Sequence, residues 1–535
     1  MMRFLPVSLH AFLVELPTLE ETQDLFSALQ ATPLHGIKEM IPAAKTVLIS
    51  FAPFETNAVE LAGQIVRLNV GNIVRQTGDY VEIPVDYNGE DLPQLAMLTG
   101  LTVAEIIRRH TAPEYKVAFC GFAPGFGYLS GGDPALRVPR HETPRTRIPA
   151  GAVGLAGDFT GVYPRASPGG WQLIGTTPVK MWDLTRTPAA FFQPGYRVRF
   201  FDLAVEKPRF HIVSALPETQ HAPVAPEADA RFLVLAAPLP ALFQDSGRFG
   251  QTGQGVSSAG ALDRGALKAA NCLVGNMETE ACLELAGGGF CFRSVGRAVV
   301  AFTGAPCDIT VRTGAGQVLM PDFHKPMALE PDDEVTLAAP KAGVRSYMAV
   351  RGGFVVETPL GSAATDTLAG IGPAPVGAGC RLFVKPARHL RPVALEDIPA
   401  RSLPQPGEVV ELDITLGPRA DWFTPDSLAL LATTLWEVTA QSDRVGMRLA
   451  GDAALVRVSA AELPSEGCVA GALQVPPDGK PMLLLADHPL TGGYPVVGAV
   501  ADYHLDLAGQ IPVGASIRFR PCAAFSDITP DYGAA

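Results

Sequence analysis

The first 80 residues contain hydrophobic patterns of both helix and strand. Thr18 to Leu29 and Asn57 to Leu68 repeat apolar residues with the period of an amphipathic helix, and Thr46 to Ser50 is a short apolar run typical of a strand. The N-terminal stretch MMRFLPVSLHAFLVEL is apolar, but it contains an arginine, a proline and a histidine and lacks a small-residue cleavage site. It therefore predicts a first pair of strands. Residues 1–80 together predict a small α/β domain.

From Val81 onward, short apolar runs alternate with glycine and proline. This spacing is typical of small β-barrels and sandwiches. Two helices are predicted among these runs, one from Asp91 to His110 and one around Asp263 to Val274, with Asp263 as its cap. The sequence shows no exact internal repeat.

Residues 204–230 lose all periodicity and carry four prolines, which is typical of a linker. This segment separates a β-rich unit at 81–203 from two further β-rich units, at 231–412 and 413–535. The predicted fold class is therefore α+β and mostly β, with the α/β domain at the N-terminus.

Charge and composition exclude several classes of partner. The net charge is -12 and the pI is near 5.4, without any block of lysines or arginines, so we expect no binding to nucleic acid or to an anionic membrane. No apolar stretch reaches the roughly 18 residues that suggest a membrane span. The eight cysteines form no C-x-x-C pair, which favours reduced, mostly buried thiols and a cytoplasmic location. The expected partner is a small molecule or another protein.

The usual cofactor signatures are missing from the sequence. There is no G-x-x-x-x-G-K-[ST] loop, no complete G-x-G-x-x-G and no G-x-S-x-G nucleophile elbow. His141 and Glu142 lack the second histidine of a zinc protease, so no metal site is predicted. The tripeptide at 179–181, Val-Lys-Met, is similar to the lysine hairpin that carries biotin, but Trp182 follows it and the usual preceding residue is missing. We therefore expect no covalently attached biotin.

The stretch FCGFAPGFGYL, residues 119–129, begins the most unusual region of the chain. Pro124 and Gly125 predict a turn that leaves a strand, and Phe126 and Tyr128 then lie on the same side of the backbone. No lysine and no helix follow the glycines, so the stretch is not a phosphate loop of the Walker type. We expect it to line the substrate end of a cleft.

Two later loops contain candidate anion-binding groups. In TPRTRIP, Arg145 and Arg147 are two positions apart, so an extended backbone directs both guanidinium groups to one side, where they can bind a carboxylate or phosphate. The alternative is two solvated arginines on an edge strand. The segment Ser167-Pro-Gly-Gly-Trp171 is a turn whose amides can meet an anion, and the alternative is a plain tight turn with Trp171 in the core.

Three loops near the C-terminus carry acids, arginines and a second Gly-Gly turn. A partly buried Glu466 or Asp487 can serve as a general acid or base. The alternative for this region is a surface salt bridge of Asp443 with Arg444 or Arg448.

Specific segments resemble known families. GFAPGFGYL, PRTRIPAGAVGLAG and TGVYPRASPGGWQLIGTTP resemble the allophanate hydrolase subunit 1 family, which includes the B subunit of 5-oxoprolinase and the kinase inhibitors of sporulating bacteria. This resemblance covers nearly all of residues 1–203. LFQDSGRFGQTGQGVSSAGALDRGALKAANCLVGN, RGGFVVETPLGSAATD, SDRVGMRLAG and DHPLTGGYPVVGAV resemble the allophanate hydrolase subunit 2 family, which includes the C subunit of 5-oxoprolinase. The chain thus resembles the B and C subunits fused head to tail.

The resemblance implies a fold and an activity. It implies a cyclophilin-like β-barrel at 81–203, a first β-barrel at 231–412 and a second, cyclophilin-like β-barrel at 413–535. The implied activity is that of an ATP-dependent amide (lactam) hydrolase of the 5-oxoprolinase type. It would open 5-oxo-L-proline to L-glutamate together with a separate A-type subunit, with ATP and its Mg²⁺ as co-substrate.

Two other functions stay open at this stage. The same modules form the carboxyltransferase part of biotin-dependent urea carboxylase. The second candidate function is therefore that of a carboxyltransferase subunit, with the biotin carried by another chain. A regulator that binds a histidine kinase is the third candidate. The chain departs from related sequences at 488–491 and at Gly127, which bears on the substrate more than on the fold. Homo-oligomerisation is left open.

The candidate site residues follow from the motifs and the resemblance. The candidate catalytic residues are Glu466, Asp487 and Asp443. The candidate substrate- or nucleotide-binding residues of the B-like part are His110, Pro124, Gly125, Phe126, Tyr128, Arg145, Arg147, Tyr163, Ser167, Gly169, Gly170 and Trp171. Those of the C-like part are Gln244, Asp245, Arg248, Arg444, Arg448, Thr491, Gly492, Gly493 and Tyr494.

Overall fold

Four folded units follow one another along the chain. The computed structural model describes residues 2–68, 78–141, 143–206, 229–388, 390–399, 402–459 and 461–531. Residues 207–228 of the predicted linker lie outside the described residues. Strands outnumber helices in every unit, which confirms the predicted α+β, mostly β class.

The first unit, called here the α/β domain after the sequence prediction, contains four strands and two helices. It contains β1 (Arg3–Ser8), β2 (Ala11–Glu15), α1 (Leu19–Ala31), β3 (Ile37–Pro42), β4 (Thr46–Phe51) and α2 (Ala58–Val66). The strands form one antiparallel sheet in the order β1-β2-β4-β3. Thr18 and Asn57 begin the two helices, because their side chains accept hydrogen bonds from the amides of Glu21 and Glu60.

The second unit, called here the first barrel, is a curved seven-stranded sheet in the order β12-β9-β10-β7-β6-β13-β5. Its elements are β5 (Tyr80–Val85), α3 (Leu92–Thr99), α4 (Val103–Thr111), β6 (Tyr115–Cys120), β7 (Gly127–Ser130), β8 (Arg145–Ile148), β9 (Ala152–Ala156), β10 (Phe159–Val162), β11 (Ser167–Gly169), β12 (Gln172–Thr176) and β13 (Arg197–Asp202). A bridge between Asp86 and Thr176 joins the two edges of the sheet, so the barrel is nearly closed.

The helix predicted from Asp91 to His110 is wrong as a single element, because it is two helices. Gly100 ends α3 with a left-handed backbone (φ 72°), a conformation that glycine adopts without a Cβ clash. The Thr102 side chain then accepts a hydrogen bond from the amide of Glu105 and begins α4.

The third unit, called here the middle domain, has two sheets around one core. Its elements are β14 (Asp229–Ala236), β15 (Leu242–Gln244), α5 (Arg264–Val274), β16 (Cys282–Ala286), β17 (Cys291–Ser294), β18 (Ala298–Gly304), β19 (Ile309–Arg312), β20 (Val318–Leu319), β21 (Pro326–Leu329), β22 (Glu334–Leu337), β23 (Arg345–Val350) and β24 (Arg381–Val384). The sheet orders are β20-β19-β22-β17-β14-β24 and β15-β16-β23-β18-β21. Phe292 of the first sheet and Phe302 of the second belong to the same core. Asp263 caps α5 as predicted.

The fourth unit, called here the second barrel, is a closed barrel in the order β25-β32-β29-β30-β27-β26-β33. Its elements are β25 (Val409–Leu416), α6 (Pro425–Thr433), β26 (Trp436–Val438), β27 (Gly446–Ala450), β28 (Glu466–Gly467), β29 (Ala472–Gln474), β30 (Met482–Leu484), β31 (Thr491–Gly492), β32 (Val496–Val500), α7 (Leu505–Ala508) and β33 (Ser516–Pro521). The boundary predicted at 412/413 falls inside β25.

The two barrels share one strand order. In each barrel the first strand pairs in parallel with the last, β5 with β13 and β25 with β33, and the remaining strands follow in the same sequence. Each barrel also carries a separate two-stranded sheet, β8 with β11 and β28 with β31. The two barrels are thus an internal repeat that is visible in their strand order but not in the sequence.

Candidate functional site

Loops from the middle domain and the second barrel meet in a group of buried charges. We call Arg248, Glu284, Asp366, Arg444 and Asp487 the interdomain charge cluster. All five residues are buried, and Asp487 is fully buried. Four of the five lie in segments that resemble the allophanate hydrolase subunit 2 family, and Glu284 comes from β16.

Arg444 is the central cation of the cluster. Its guanidinium group donates to both carboxylate oxygens of Asp487, at 2.9 and 3.0 Å, and to Glu284 and the carbonyl oxygen of Gly260. Burial opposes the charge on Arg444, but the two carboxylates outweigh it and raise its pKa. The surface salt bridge considered for Arg444 is therefore wrong.

Asp443 shapes the turn that directs Arg444 inward. Its Oδ1 accepts hydrogen bonds from the amides of Val445 (2.8 Å) and Gly446 (3.2 Å), while the residue itself is exposed. This is the local capping of a turn by aspartate. The geometry thus gives Asp443 a positioning role for Arg444.

Arg248 and Asp366 are charged side chains without an ion-pair partner among the described residues. Arg248 donates from Nη2 to the carbonyl oxygen of Ala364, while its Nε and Nη1 are buried and make no hydrogen bond within the described chain. Asp366 accepts from the amide of Ala369 through Oδ1 (2.7 Å), while Oδ2 is buried without a described donor. Three polar atoms of the cluster are therefore available to a ligand or to water.

The environment of Asp366 favours its protonated form. Burial and the nearby negative charge of Asp487 raise the pKa of Asp366 to about 7, against the opposing effects of the Ala369 amide and Arg248. A carboxyl group that titrates near neutral pH can take up and release a proton under physiological conditions. Asp366 is thus the best-placed proton-transfer group of the cluster.

Gln244 and Asp245 hold the loops around this group. Asp245 accepts from the amide of Gly247 (2.8 Å), the hydroxyl of Ser362 (2.6 Å) and the amide of Ala363 (2.7 Å). Gln244 donates from Nε2 to the carbonyl oxygen of Thr365 (2.8 Å). These bonds fix the loop that carries Arg248 beside the loop that carries Asp366.

Two family models match the chain over nearly its full length. The model described as carboxyltransferase domain, subdomain C and D, matches residues 2–192, and the model described as carboxyltransferase domain, subdomain A and B, matches residues 254–521. The chain belongs to the carboxyltransferase domain family.

Relatives of this carboxyltransferase-domain protein match its two parts separately. The first part is 37% identical over 169 residues to the B subunit of 5-oxoprolinase from Escherichia coli O157:H7, covering 31% of this chain and 78% of the relative. The second is 33% identical over 281 residues to the C subunit of 5-oxoprolinase from Escherichia coli (strain K12), covering 52% and 87%. The crystal structure of TTHA0988 spans both parts, with 33% identity, a TM-score of 0.78, and coverage of 95% of this chain and 99% of TTHA0988. The chain thus joins a B-like part to a C-like part, as predicted.

Aromatic residues of the first barrel form a packed group rather than an open cleft wall. Phe126, Tyr128, Tyr163 and Trp171 are all at most 5% exposed, and the ring of Phe126 lies 5.2 Å from that of Trp171 in an edge-to-face contact. Both Phe126 and Tyr128 contact Trp171, as their predicted common side requires. Trp171 therefore lies in the core, which was the alternative interpretation of this residue.

The loop at 121–126, which carries Phe126, joins the two halves of the carboxyltransferase-domain protein. The amide of Phe122 donates to Oγ1 of Thr491 (3.0 Å), and the amide of Gly125, beside Pro124, donates to the carbonyl oxygen of Gln254 (2.9 Å). A Cβ on Gly121 would lie 2.3 Å from Oγ1 of Thr491, so only glycine permits this approach. The loop therefore contacts both the second barrel and the middle domain.

Glu466 is tied into a second interdomain ion-pair network. It accepts hydrogen bonds from Arg419, whose Nη1 also lies 2.7 Å from Oε1 of Glu15 in the α/β domain. Burial raises the pKa of Glu466, and the hydrogen bonds from Arg419 act in the opposite direction. This arrangement connects β28 to β2 and leaves Glu466 outside the interdomain charge cluster.

Arg145 and Arg147 have different surroundings on β8. Arg145 lies 2.6 Å from Oδ1 of Asp91 and 2.8 Å from Oε1 of Glu90, whereas Arg147 is exposed and has no ion-pair partner within the described ranges. Asp91 is 3% exposed. Burial alone would raise its pKa, but the amide of Leu173 and the guanidinium group of Arg145 lower it.

These contacts predict a stability effect for Arg145→Ala. The substitution leaves the buried Asp91 carboxylate without its guanidinium partner, so we expect a loss of about 1 to 3 kcal/mol in the free energy of unfolding. The Tm of the purified chain measures this loss. The matched control is Arg147→Ala, which removes an exposed arginine two residues along the same strand and should leave the Tm unchanged. An unchanged Tm with weaker anion binding in Arg145→Ala would instead support the predicted anion site.

The other predicted residues lie apart from the charge cluster. His110 is fully buried, its Nδ1 lies 2.7 Å from the hydroxyl of Tyr87, and burial lowers its pKa to about 3. The candidates that occupy strands, hairpins or turns elsewhere are Ser167, Gly169, Gly170, Arg448, Gly492, Gly493 and Tyr494. Gly169 and Gly492 take part in β pairing, where they pack closely against Tyr163 and Gln474.

Sequence reasoning missed two members of the interdomain charge cluster, Glu284 and Asp366. Glu284 lies in an apolar strand, and nothing in the sequence indicates that Arg444, 160 residues away, contacts it. Asp366 ends the segment GSAATD, but its small neighbours are typical of an ordinary turn.

Membrane spans and metal clusters are not found among the described residues. No helix there is long and apolar enough to cross a membrane, and no group of three or more His, Cys, Asp or Glu side chains could hold a metal ion. All eight cysteines are free, and four of them are buried. A cleft of about 500 Å³ lies between α1 and β6, and none of the charge-cluster residues lines it.

Proposed function

We propose that the chain is the fused B and C component of an ATP-dependent 5-oxoprolinase. In this reaction 5-oxo-L-proline is opened to L-glutamate together with a separate A-type subunit, in the cytoplasm. The observation that carries the proposal is that relatives named as the B and C subunits of 5-oxoprolinase match successive parts of this one chain.

The chemistry requires a cationic, proton-transferring site. A lactam amide is stabilised by resonance, and transfer of the γ-phosphoryl group of ATP to its oxygen releases ADP and creates an electrophilic carbon. Water then adds to this carbon, the ring C–N bond breaks with a proton delivered to the nitrogen, and a second water releases the phosphate. The phosphoryl transfer is promoted by positioning and by cations that face the phosphoryl oxygens. Arg248, with two guanidinium nitrogens that have no described partner, fits the cation, and Asp366 fits the proton-transfer group. Mg²⁺ would arrive on the phosphates of ATP as part of the co-substrate.

Reconstitution tests the proposal. The purified chain is mixed with an A-type 5-oxoprolinase subunit, and ATP hydrolysis is measured with and without 5-oxo-L-proline, together with the glutamate formed. We expect ATP hydrolysis that depends on 5-oxo-L-proline and on both proteins, with glutamate produced in proportion.

A carboxyltransferase is the second candidate, favoured by the description of the matching family. It would use biotin carried by another chain. The same preparation is therefore assayed for carboxyl transfer from a carboxybiotin carrier protein to urea and related amides. Carboxyl transfer without 5-oxo-L-proline-dependent ATP hydrolysis would replace the first proposal with this one.

A further inference from the structure

Arg165 brings a charge from the first barrel to the middle domain. It lies in the loop between β10 and β11, and its Nη1 is 3.4 Å from the position that a Cβ on Gly370 would occupy. Its Nε is buried and makes no hydrogen bond within the described residues. Arg165 is half-buried at the boundary between the two halves, and the described part of the chain offers it no ion-pair partner.

The negative charge of Asp366 affects the pKa values of both Arg165 and Arg248. Burial lowers the pKa of Arg165, and the charge of Asp366 acts against this effect. The charge of Asp366 also opposes the effect of burial on the pKa of Arg248, which lies in the middle domain. The geometry places both arginines at the same loop: Nη1 of Arg165 lies beside Gly370, whose amide donates to the carbonyl oxygen of Asp366 (2.9 Å), and Nη2 of Arg248 donates to the carbonyl oxygen of Ala364, two residues before Asp366. Arg165 and Arg248 therefore approach the Asp366 loop from the two halves of the chain.

Four polar atoms of these three side chains are buried and lack hydrogen-bond partners among the described residues. They are Nε of Arg165, Nε and Nη1 of Arg248, and Oδ2 of Asp366. Buried charged groups normally have a partner, because an unpaired one loses its hydration without compensation. Three of the four atoms are guanidinium donors, so the missing partner is rich in acceptor oxygens. Carboxylate and phosphoryl groups match guanidinium donors in this way.

Contacts between the halves hold the loop after Asp366 against the first barrel. The amide of Ala190 in the first barrel donates to Oε1 of Gln254 (3.0 Å), and Trp182 packs against the apolar group formed by Val256, Ala369 and Ile371. The loop that contains Ala369 is also the loop that follows Asp366. The loop that follows Asp366 is thus packed against the first barrel, the unit that carries Arg165.

We propose that Arg165 and Arg248 together bind one oxyanion of the ligand beside Asp366, so that the anion site is complete only when both halves of the chain are present. The shared chemistry is a carboxylate or phosphoryl group. Its two sources, the carboxylate of 5-oxo-L-proline and a phosphate group of ATP, rest on the proposed function. Arg165 is then a ligand-binding residue supplied by the B-like half to the C-like half.

Direct binding measurements on the purified full chain test the proposal. Titration calorimetry is carried out separately with 5-oxo-L-proline and with inorganic phosphate, on the wild-type chain and on Arg165→Ala, Arg165→Lys and Arg248→Ala. We expect the wild type to bind at least one probe and Arg165→Ala to weaken that probe at least tenfold. Arg165→Lys keeps the charge but loses the forked donors, so its affinity should be intermediate. The probe that is weakened identifies the source of the oxyanion.

Controls separate binding from folding. Arg137→Ala removes an arginine of the same barrel whose side chain is 69% exposed, and it should leave the affinity unchanged. Arg165→Ala should leave the Tm unchanged, because Arg165 makes no hydrogen bond or ion pair within the described chain. Equal affinity in Arg165→Ala and wild type overturns the proposal, and so does the absence of binding of either probe to the wild type at millimolar concentration.

The outcome is distinguishable from failure of the proposed function. If Arg165→Ala loses phosphate binding while the reconstituted system shows no 5-oxo-L-proline-dependent ATP hydrolysis, the anion site stands and the assigned reaction is wrong. If the reconstituted system is active and Arg165→Ala has the KM values of the wild type, the reaction stands and the role of Arg165 is wrong.

Discussion

Arg444→Ala is expected to destabilise the chain by about 3 to 5 kcal/mol, because it leaves buried carboxylates without their cation. Asp487 would keep only the hydrogen bonds from the amide and hydroxyl of Thr367, at 2.8 and 2.7 Å. Glu284 would keep Arg345, which lies 3.5 Å away. The loss is measured as a lower Tm and as faster hydrogen exchange of the loops that meet at the cluster.

Two further variants decide whether the missing cation causes the effect. Arg448→Ala removes an exposed arginine four residues along the chain, on β27, and should leave the Tm within experimental error. The double substitution Arg444→Met and Asp487→Asn removes one cation and one carboxylate, leaves the Glu284–Arg345 pair intact, and should recover much of the lost stability. A double variant as unstable as Arg444→Ala would show that shape, and not uncompensated charge, determines the loss.

Asp366→Asn is expected to abolish most of the reconstituted activity and to change the pH dependence of stability. The loss of a proton-transfer group lowers kcat by about 10²- to 10⁴-fold. The folded protein holds the Asp366 proton up to a pKa of about 7, while the ordinary value is 3.8. The folded state therefore binds more protons than the unfolded state in this interval, and the stability that the wild type gains from this group at low pH is lost as the pH rises through 7.

Asparagine removes this pH-dependent contribution. Relative to the wild type, Asp366→Asn should gain about 2 to 4 kcal/mol of stability between pH 5 and pH 8. Thermal unfolding followed at several pH values measures the difference. The control Asp452→Asn changes an exposed aspartate of the second barrel and should follow the wild-type curve. Parallel curves for Asp366→Asn and the wild type would show that Asp366 titrates in the ordinary acidic range.

Local structure was largely predictable because it depends on neighbouring residues. The helices begin where Thr18, Asn57 and Asp263 were expected to begin them, since a cap acts within one turn. The break at Gly100 was missed because one glycine is tolerated inside many helices. Here the packing of α3 against α4 determines that the helix ends at this glycine.

The partners of charged residues were much less predictable. Arg145 pairs with Asp91, 54 residues away, and Glu466 pairs with Arg419, 47 residues away. Such pairs depend on strand order and on how domains pack, and neither leaves a local trace in the sequence. The quoted motifs contain four of the five charge-cluster residues, while the surroundings of Arg165 and Asp366 required the three-dimensional arrangement.

The parallel closure of each barrel has a consequence for synthesis on the ribosome. Glu82 of β5 pairs with Arg199 across 117 residues, and Glu411 of β25 pairs with Arg518 across 107 residues. At about 5 to 20 residues per second, the closing strand follows the opening strand by roughly 5 to 20 seconds. During this delay β5 and β25 are nascent strands with unsatisfied backbone groups. Glu82 and Glu411, which later bind the arriving arginines, are then the charges that discourage pairing with other nascent chains.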